Sequence, residues 1–445
     1  MSSGNNSHPT KFSLVQVKGT WIRQNEQNQV EGGKWSEAKI YEDKSKHGVS
    51  WTVVSPIVFT YRVIQCQNIL DPENDTLLWG HLGSQVHANA GCTSKPIKRF
   101  VVIDETVNQL YGSQVARYFD AREVVYKILP LPTTEENKSM ELVTVILEAV
   151  HHFGIDRRSE PIIAIGGGVC LDVVGLAASL YRRRTPYIRV PTTFLAYIDA
   201  SVGAKTGVNF AGGKNKLGSY VPPVATFLDC SFFQTLPGRQ ISNGLAEMLK
   251  MALMKHDGLF RLLEANGKEL LFAKMQPLQS SKSSKQEDAA SAARRIAIET
   301  MLEELAPNLW EDDLDRLVDF GHIISPELEM RVLPTLLHGE AVNIDMSFMV
   351  YVAHTKGLLT ADEKDRIICC MLALQLPVWH QDCTLALVQK SFKERMRHSA
   401  GSLRMPLPTG IGRAEIFHDM IEDSILHQAH QRWTDELSCH SEQQR

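Results

Sequence analysis

Short apolar runs bounded by glycine, proline or an acid mark the first half of the chain. Phe100–Asp104 (FVVID), Pro161–Ile165 (PIIAI) and Tyr187–Val190 are each four or five residues long. Runs of this kind suit strands buried on both faces of a parallel sheet. Met140–His151 carries the three-to-four spacing of a helix. Trp51–Ile64 is β-branched and aromatic and predicts a strand with an irregularity at Pro56. Strands alternating with helices to about residue 235 predict a doubly wound, mostly parallel α/β sheet of Rossmann-like type. After Pro237 the texture becomes helical. Ile241–Leu263 predicts one helix, Gln276–Ala290 an exposed Ser/Lys/Gln-rich loop, and helical patterning resumes from Ala292 to about Lys390. The expected organisation is a flexible leader at 1–50, an α/β domain at 51–236 and a mainly α-helical domain at 237–445.

Composition narrows the class. A chain of 445 residues, 43% hydrophobic, can fill two cores. A formal net charge of -4 gives no basic footprint for a nucleic-acid partner. No window approaches the ~20 continuous apolar residues of a membrane span. The eight cysteines form no CxxC pair, and Met1–Gly19 is polar without an apolar signal core. Reduced thiols and a cytoplasmic location are therefore expected.

Candidate chemistry begins at IAIGGGVCLDVVGLAA, a strand, a glycine turn and a helix start. Gly166, Gly167 and Gly168 would let a pyrophosphate approach the backbone, and the helix N-terminus would offer free N–H groups. This is not a GxGxxG fingerprint, and a tight strand–helix corner would read the same. Asp172 follows the turn by four residues. Asp104 ends a strand and could bind a ribose hydroxyl or cap a helix. Thr192 and Thr193 follow a proline turn and could meet a cofactor or serve the turn alone. Glu136 and Lys138 could reach an adenosine end or form a helix-start charge pair.

In the second half, Glu247 (GLAEMLK), His322 (FGH) and His338 (HGEAV) supply one carboxylate and two imidazoles, a known catalytic zinc set. Their long, irregular spacing leaves ordinary core or cap roles open. Lys205 (GAKTGVN), Lys214 and Asn215 (GGKNKLG) sit in glycine-bearing turns that could hold a phosphate, or be solvated surface charges. Lys250 shares a helix face with Glu247.

Taken together and in order, GGGVCLDVVG, VPTTFLAYIDASVGAKTGVN, GKNKLGSY, GLAEMLK, FGH and HGEAV resemble the dehydroquinate synthase-like sugar-phosphate cyclases over about Phe100–Arg413. The resemblance implies NAD on the glycine turn with Asp104, Glu136, Lys138, Asp172, Thr192 and Thr193. It implies zinc, or cobalt, on Glu247, His322 and His338. It implies a sugar phosphate lined by Asp199, Lys205, Lys214, Asn215 and Lys250. Arg183, in YRRRTP, matches a family arginine that reaches the phosphate from a partner subunit, which implies a homodimer. Arg397, His398 and Arg404 are further basic candidates for closing over the site.

Departures from the dehydroquinate synthases point to a branch. Those enzymes hold a substrate carboxylate with cationic and amide groups. Here Asp319 stands in place of Asn, Asp315 in place of Arg, Met301 near a Lys and Pro326 in place of a His. Like charges ~4 Å apart cost about 4 kcal/mol at an effective dielectric near 20. Asp315 and Asp319 are thus expected to favour a neutral, hydroxyl-rich chain end. That pattern looks like the branch that turns sedoheptulose 7-phosphate into a valiolone-type cyclitol, by transient oxidation, β-elimination of phosphate, re-reduction and aldol closure. The branch making desmethyl-4-deoxygadusol and the 3-dehydroquinate synthases are alternatives. Metal-dependent polyol dehydrogenases are more distant, since they do not need the lysine turns.

Overall fold

A computed structural model describes residues 59–82, 96–277, 288–397, 401–418 and 421–439, and the backbone of four strands within 13–54. The chain divides into two compact units, Met1–Thr60 and Tyr61–Arg445. The first holds two antiparallel hairpins: β1 (Ser13–Val17) with β2 (Thr20–Gln24), and β3 (Lys39–Ser45) with β4 (Gly48–Val54). These strands lie largely within the 1–50 segment expected as a flexible leader, most of whose other residues lie outside the described residues. In each hairpin two residues separate the paired strands in sequence. Pro56 lies outside the described residues.

The second unit opens with β5 (Arg62–Cys66), a one-turn helix α1 (Thr76–Trp79), β6 (Lys98–Asp104), α2 (Glu105–Asp120), β7 (Val125–Leu131) and α3 (Met140–Phe153). It continues with β8 (Ile162–Gly166), α4 (Gly168–Leu180), β9 (Tyr187–Pro191), the hairpin β10 (Lys205–Phe210) and β11 (Gly213–Tyr220), and β12 (Ala225–Asp229). Six of these strands form one parallel sheet in the order β5-β12-β9-β8-β6-β7. Alternate residues of β6 and β8 feed opposite cores. Phe100, Val102, Ile162 and Ala164 face α3 and α4, while Val101, Ile103, Ile163 and Ile165 pack with Val115 and Phe119 of α2. The chain leaves β6 toward β7 on one side and returns to β8 on the other. The crevice at the carboxyl ends of β6 and β8 is therefore a topological switch point, where open α/β sheets bind ligands.

From Pro237 the chain is mainly helical: α5 (Gly238–Lys255), α6 (Asp257–Phe272), α7 (Ala289–Leu305), α8 (Ser325–Val332), α9 (His338–Thr355), α10 (Ala361–Ala373) and α11 (Leu385–Arg397). A hairpin, β13 (Met405–Gly410) and β14 (Arg413–Phe417), and then α12 (Asp423–Leu437) follow. The single helix expected over Ile241–Leu263 is two. His256 breaks it and caps α6, its ring nitrogen accepting from Leu259 N at 3.0 Å. The β13–β14 hairpin also interrupts a half expected to be helical. Helix α9 is buried almost all round, its polar Asn343, Asp345 and Ser347 included. The expected seam near Leu236 runs inside one compact unit. Residues 278–287 of the expected 276–290 loop lie outside the described residues. Among the described residues, no helix is long and apolar enough to cross a membrane.

Candidate active site

A cavity of about 610 Å³ opens where the carboxyl ends of the sheet meet α5, α8 and α9. Glu247 comes from the middle of α5, His338 is the first residue of α9, and His322 precedes α8. Their ligand atoms lie within 4.8 Å of one another. His322 Nε2 and His338 Nε2 each stand 3.5 Å from Glu247 Oε1.

Two glycines set this geometry. The Gly339 N–H donates to Asn243 Oδ1 at 2.6 Å, and a Cβ on Gly339 would fall 2.0 Å from the Asn243 carbonyl oxygen. The α5–α9 contact is thus made backbone to backbone. Gly321, at φ +75°, turns the chain just ahead of His322, a conformation that favours glycine.

The three residues suit a divalent cation. Glu247 is wholly buried, and neither of its oxygens accepts a well-formed hydrogen bond, although Lys250 Nζ lies 2.5 Å from Oε2. Burial opposes its charge, but the Lys250 ammonium above all holds the carboxyl well below the usual range. Burial, then Lys250, push His322 down to about 3, so its ring is neutral and can donate a lone pair. His322 Nδ1 lies 3.1 Å from Phe320 O, which directs Nε2 inward.

The glycine turn lies at the other side of the cavity. Gly167, Gly168 and Asp172 line it, and Gly166 ends β8. Helix α4 begins without a side-chain cap or an acidic residue in its first turn, leaving N–H groups for an anion. A Cβ on Gly167 would come 3.1 Å from Thr193 Cγ2, so the turn is shaped for close approach. The residues present therefore fit a dinucleotide pyrophosphate. Thr193, Glu136 and Lys138 also line the cavity. Lys138 Nζ donates to Asp172 Oδ2 at 2.6 Å and Asn215 Oδ1 at 2.7 Å, tying the turn to β11. Asp104 does not line the cavity. It caps α2, accepting from Val107 N at 3.1 Å, and also accepts from the Thr133 hydroxyl at 2.5 Å. Thr192 is buried behind the turn, its N–H on the Gly166 carbonyl at 2.9 Å.

Asp199, Lys205, Lys214, Asn215 and Lys250 all line the cavity. Their cations are partnered rather than bare. Lys205 pairs with Glu311, and Lys214 Nζ lies 2.6 Å from both Glu329 oxygens. Asp319 lines the cavity too, but Arg316 and Arg395 both contact it. Burial would raise its carboxyl, yet the two arginines outweigh that and hold it at about 2. Asp315 lies outside the lining, bonded to Arg404 at 3.0 Å and His418 at 3.3 Å. The expected repulsion by two bare carboxylates is corrected: one is outside and the other is neutralised. Arg183 is exposed on a short 3-10 turn at φ +60° and does not line this cavity. Arg397 lies 3.8 Å from Glu394 on its own helix, and His398 lies outside the described residues.

Sequence reasoning passed over Glu311, Glu329, Arg316, Arg395 and Arg189. Only Arg189 carried a signal, a cation inside the apolar run YIRVP. It is fully buried and donates to the carbonyls of Ala200 at 3.0 Å, Gly203 at 2.6 Å and Lys205 at 2.8 Å. It thereby clamps the segment carrying Asp199 and Lys205.

Comparison with known proteins agrees with this geometry. The 3-dehydroquinate synthase N-terminal family matches residues 128–243, and the 3-dehydroquinate synthase C-terminal family matches 244–398. A 2-epi-5-epi-valiolone synthase from Actinomyces sp is 45% identical over 83% of this chain and 94% of its own length. A demethyl-4-deoxygadusol synthase from Trichormus variabilis is 36% identical over 73% of this chain and 78% of its own. A solved 2-epi-5-epi-valiolone synthase from Streptomyces hygroscopicus subsp. jinggangensis, with NAD+ and Zn2+ bound, superposes with a TM-score of 0.78 at 42% identity, covering 87% of this chain and 100% of that one. The chain belongs to the dehydroquinate synthase-like family of sugar-phosphate cyclases, within its 2-epi-5-epi-valiolone synthase branch.

Proposed function

We propose that this chain converts sedoheptulose 7-phosphate into 2-epi-5-epi-valiolone and free phosphate, as a phosphate-eliminating carbon–oxygen lyase. The observation that carries the reading is one cavity lined by His322, His338, the uncapped α4 turn and a group of lysines, with the buried Glu247 completing the cluster beside the two imidazoles. Identity of 45% to a relative of that name supports the substrate and product.

Zinc, or cobalt, on Glu247, His322 and His338 would polarise substrate hydroxyls, and NAD on the glycine turn would accept and return a hydride. The chain's own residues do the rest. Lys205, Lys250 and Asn215 face the cavity and stabilise the departing phosphate. Lys138 orients Asn215 by the bond at 2.7 Å. Asp199 lines the cavity, and burial, only partly offset by Lys250, holds its carboxyl above the usual range, which suits a proton-accepting group. Arg183 stands away from this cavity and exposed, which suits a role across a homodimer. The free state of the described cysteines suits a reducing cytoplasm.

The test is incubation of the purified chain with sedoheptulose 7-phosphate, NAD and zinc. Phosphate release, a valiolone-type product by NMR and no net NADH are expected. Accumulating NADH without phosphate would indicate a polyol dehydrogenase and sink the reading. A gadusol-type product would move the chain to the sister branch.

A further inference from the structure

Glu329 of α8 is 2% exposed yet lines the cavity. Its Oε2 lies 2.9 Å from His338 Nδ1, and both of its oxygens lie 2.6 Å from Lys214 Nζ. Lys214 itself stands 3.0 Å from His338 Nδ1. One carboxylate therefore joins the helix that carries a metal-ligand candidate to the β10–β11 hairpin that carries the lysine turn.

We propose that Glu329 is a positioning residue for the metal centre, acting through His338; the inference rests on the metal-site reading above. An imidazole that donates its Nδ1–H to a carboxylate is locked in one tautomer and one ring orientation, and its Nε2 becomes a better donor. Here Nε2 is the atom that faces Glu247 Oε1. Lys214 is the counter-ion seated against both Glu329 oxygens in a place where a lone carboxylate would be costly. That assigns Lys214 to the support of the site, through two short bonds to Glu329, rather than to direct capture of phosphate. It also makes the hairpin sense the metal ligand. A change at Lys214 should alter metal affinity although the lysine does not ligate.

The test uses the full-length chain stripped of metal. Zinc affinity is measured by competition with a chromophoric chelator, and the ligand field by the visible spectrum of bound Co2+. Glu329→Gln keeps the shape but removes the charge, and should weaken zinc binding ~10–100-fold and shift the Co2+ bands. Glu329→Asp keeps the charge but shortens the reach, and should lose affinity to a lesser degree. Unchanged affinity and an unchanged Co2+ spectrum in both variants overturn the assignment. If Glu329→Gln does not fold, Glu329→Asp decides alone. Failure of both to fold makes Glu329 a structural brace and overturns it equally. Wild-type chain that binds no equivalent of zinc sinks the metal-site reading itself, a separate outcome.

Discussion

Lys250 Nζ lies 2.5 Å from Glu247 Oε2, one helical turn along α5, and both side chains are shut away from water. Lys250 is the resident cation at a site fitted for a second one. Replacing it with methionine leaves Glu247 as an uncompensated buried charge, which costs about 3–5 kcal/mol. Lys250→Met should therefore lower stability to urea strongly in EDTA and much less in saturating zinc. Equal losses in both conditions would separate Lys250 from the metal site.

Glu247→Gln and His338→Ala each remove one donor from the cluster. Turnover, followed by phosphate release, should fall more than ~100-fold, beyond the range expected of a supporting residue. Far-UV circular dichroism should be retained, because α5 and α9 are held by apolar contacts along their length. Full activity in either variant would refute the metal assignment.

Asp319→Asn leaves Arg316 and Arg395 without their shared anion at the cavity wall. Loss of a charged hydrogen bond is worth about 1.5–3 kcal/mol. We expect kcat/KM for sedoheptulose 7-phosphate to fall roughly ten- to a hundredfold. The sign of the pH effect follows from a carboxyl depressed from 3.8 to about 2. Its stabilisation is complete above 3.8 and disappears as pH falls toward 2. Asp319→Asn should flatten the acid limb of the stability curve in that window, and an unaltered limb would argue against the pairing.

Asp345 has the opposite sign. It is buried, and its Oδ2 accepts from Ile324 N at 2.6 Å and Ser325 N at 2.9 Å at the start of α8. Burial, only partly offset by those bonds, raises its carboxyl from 3.8 to about 6. The folded chain then holds this proton more tightly than the unfolded one. Its contribution to stability is full below 3.8 and is lost as pH rises through about 6. Chemical denaturation of Asp345→Asn between pH 4 and pH 6 should lack that decline; the same slope in both proteins would refute the shift.

Arg189→Lys keeps a charge but cannot bridge the carbonyls of Ala200, Gly203 and Lys205. Misplacing Lys205 by an ångström could cost up to ~100-fold in turnover. A fall in kcat with NAD affinity preserved is the expected result. Parallel losses in both would make Arg189 a general fold residue.

Much of this architecture was readable because two signals were local. Buried strands such as PIIAI declare themselves by unbroken apolarity, and the glycine turn follows one of them directly. The metal cluster was legible as residue types in order, but its closure depends on the Gly339–Asn243 contact between distant segments. The supporting layer was not legible. Glu329 and Glu311 look like solvated helix-edge acids in sequence, and only tertiary packing puts them against Lys214 and Lys205. The same blindness explains the Asp315 and Asp319 error: a substitution read in isolation reveals a new charge but not the arginines that answer it.

The contact at Gly339 has a consequence for how this protein can change. With main chain pressed on main chain, even an alanine there would wedge the helices carrying Glu247 and His338 apart. Hydrophobic residues elsewhere in the helical core can be exchanged and repacked, whereas this hinge point admits no added atom. Drift through the core can thus retune stability without detuning the gap in which a cation is gripped.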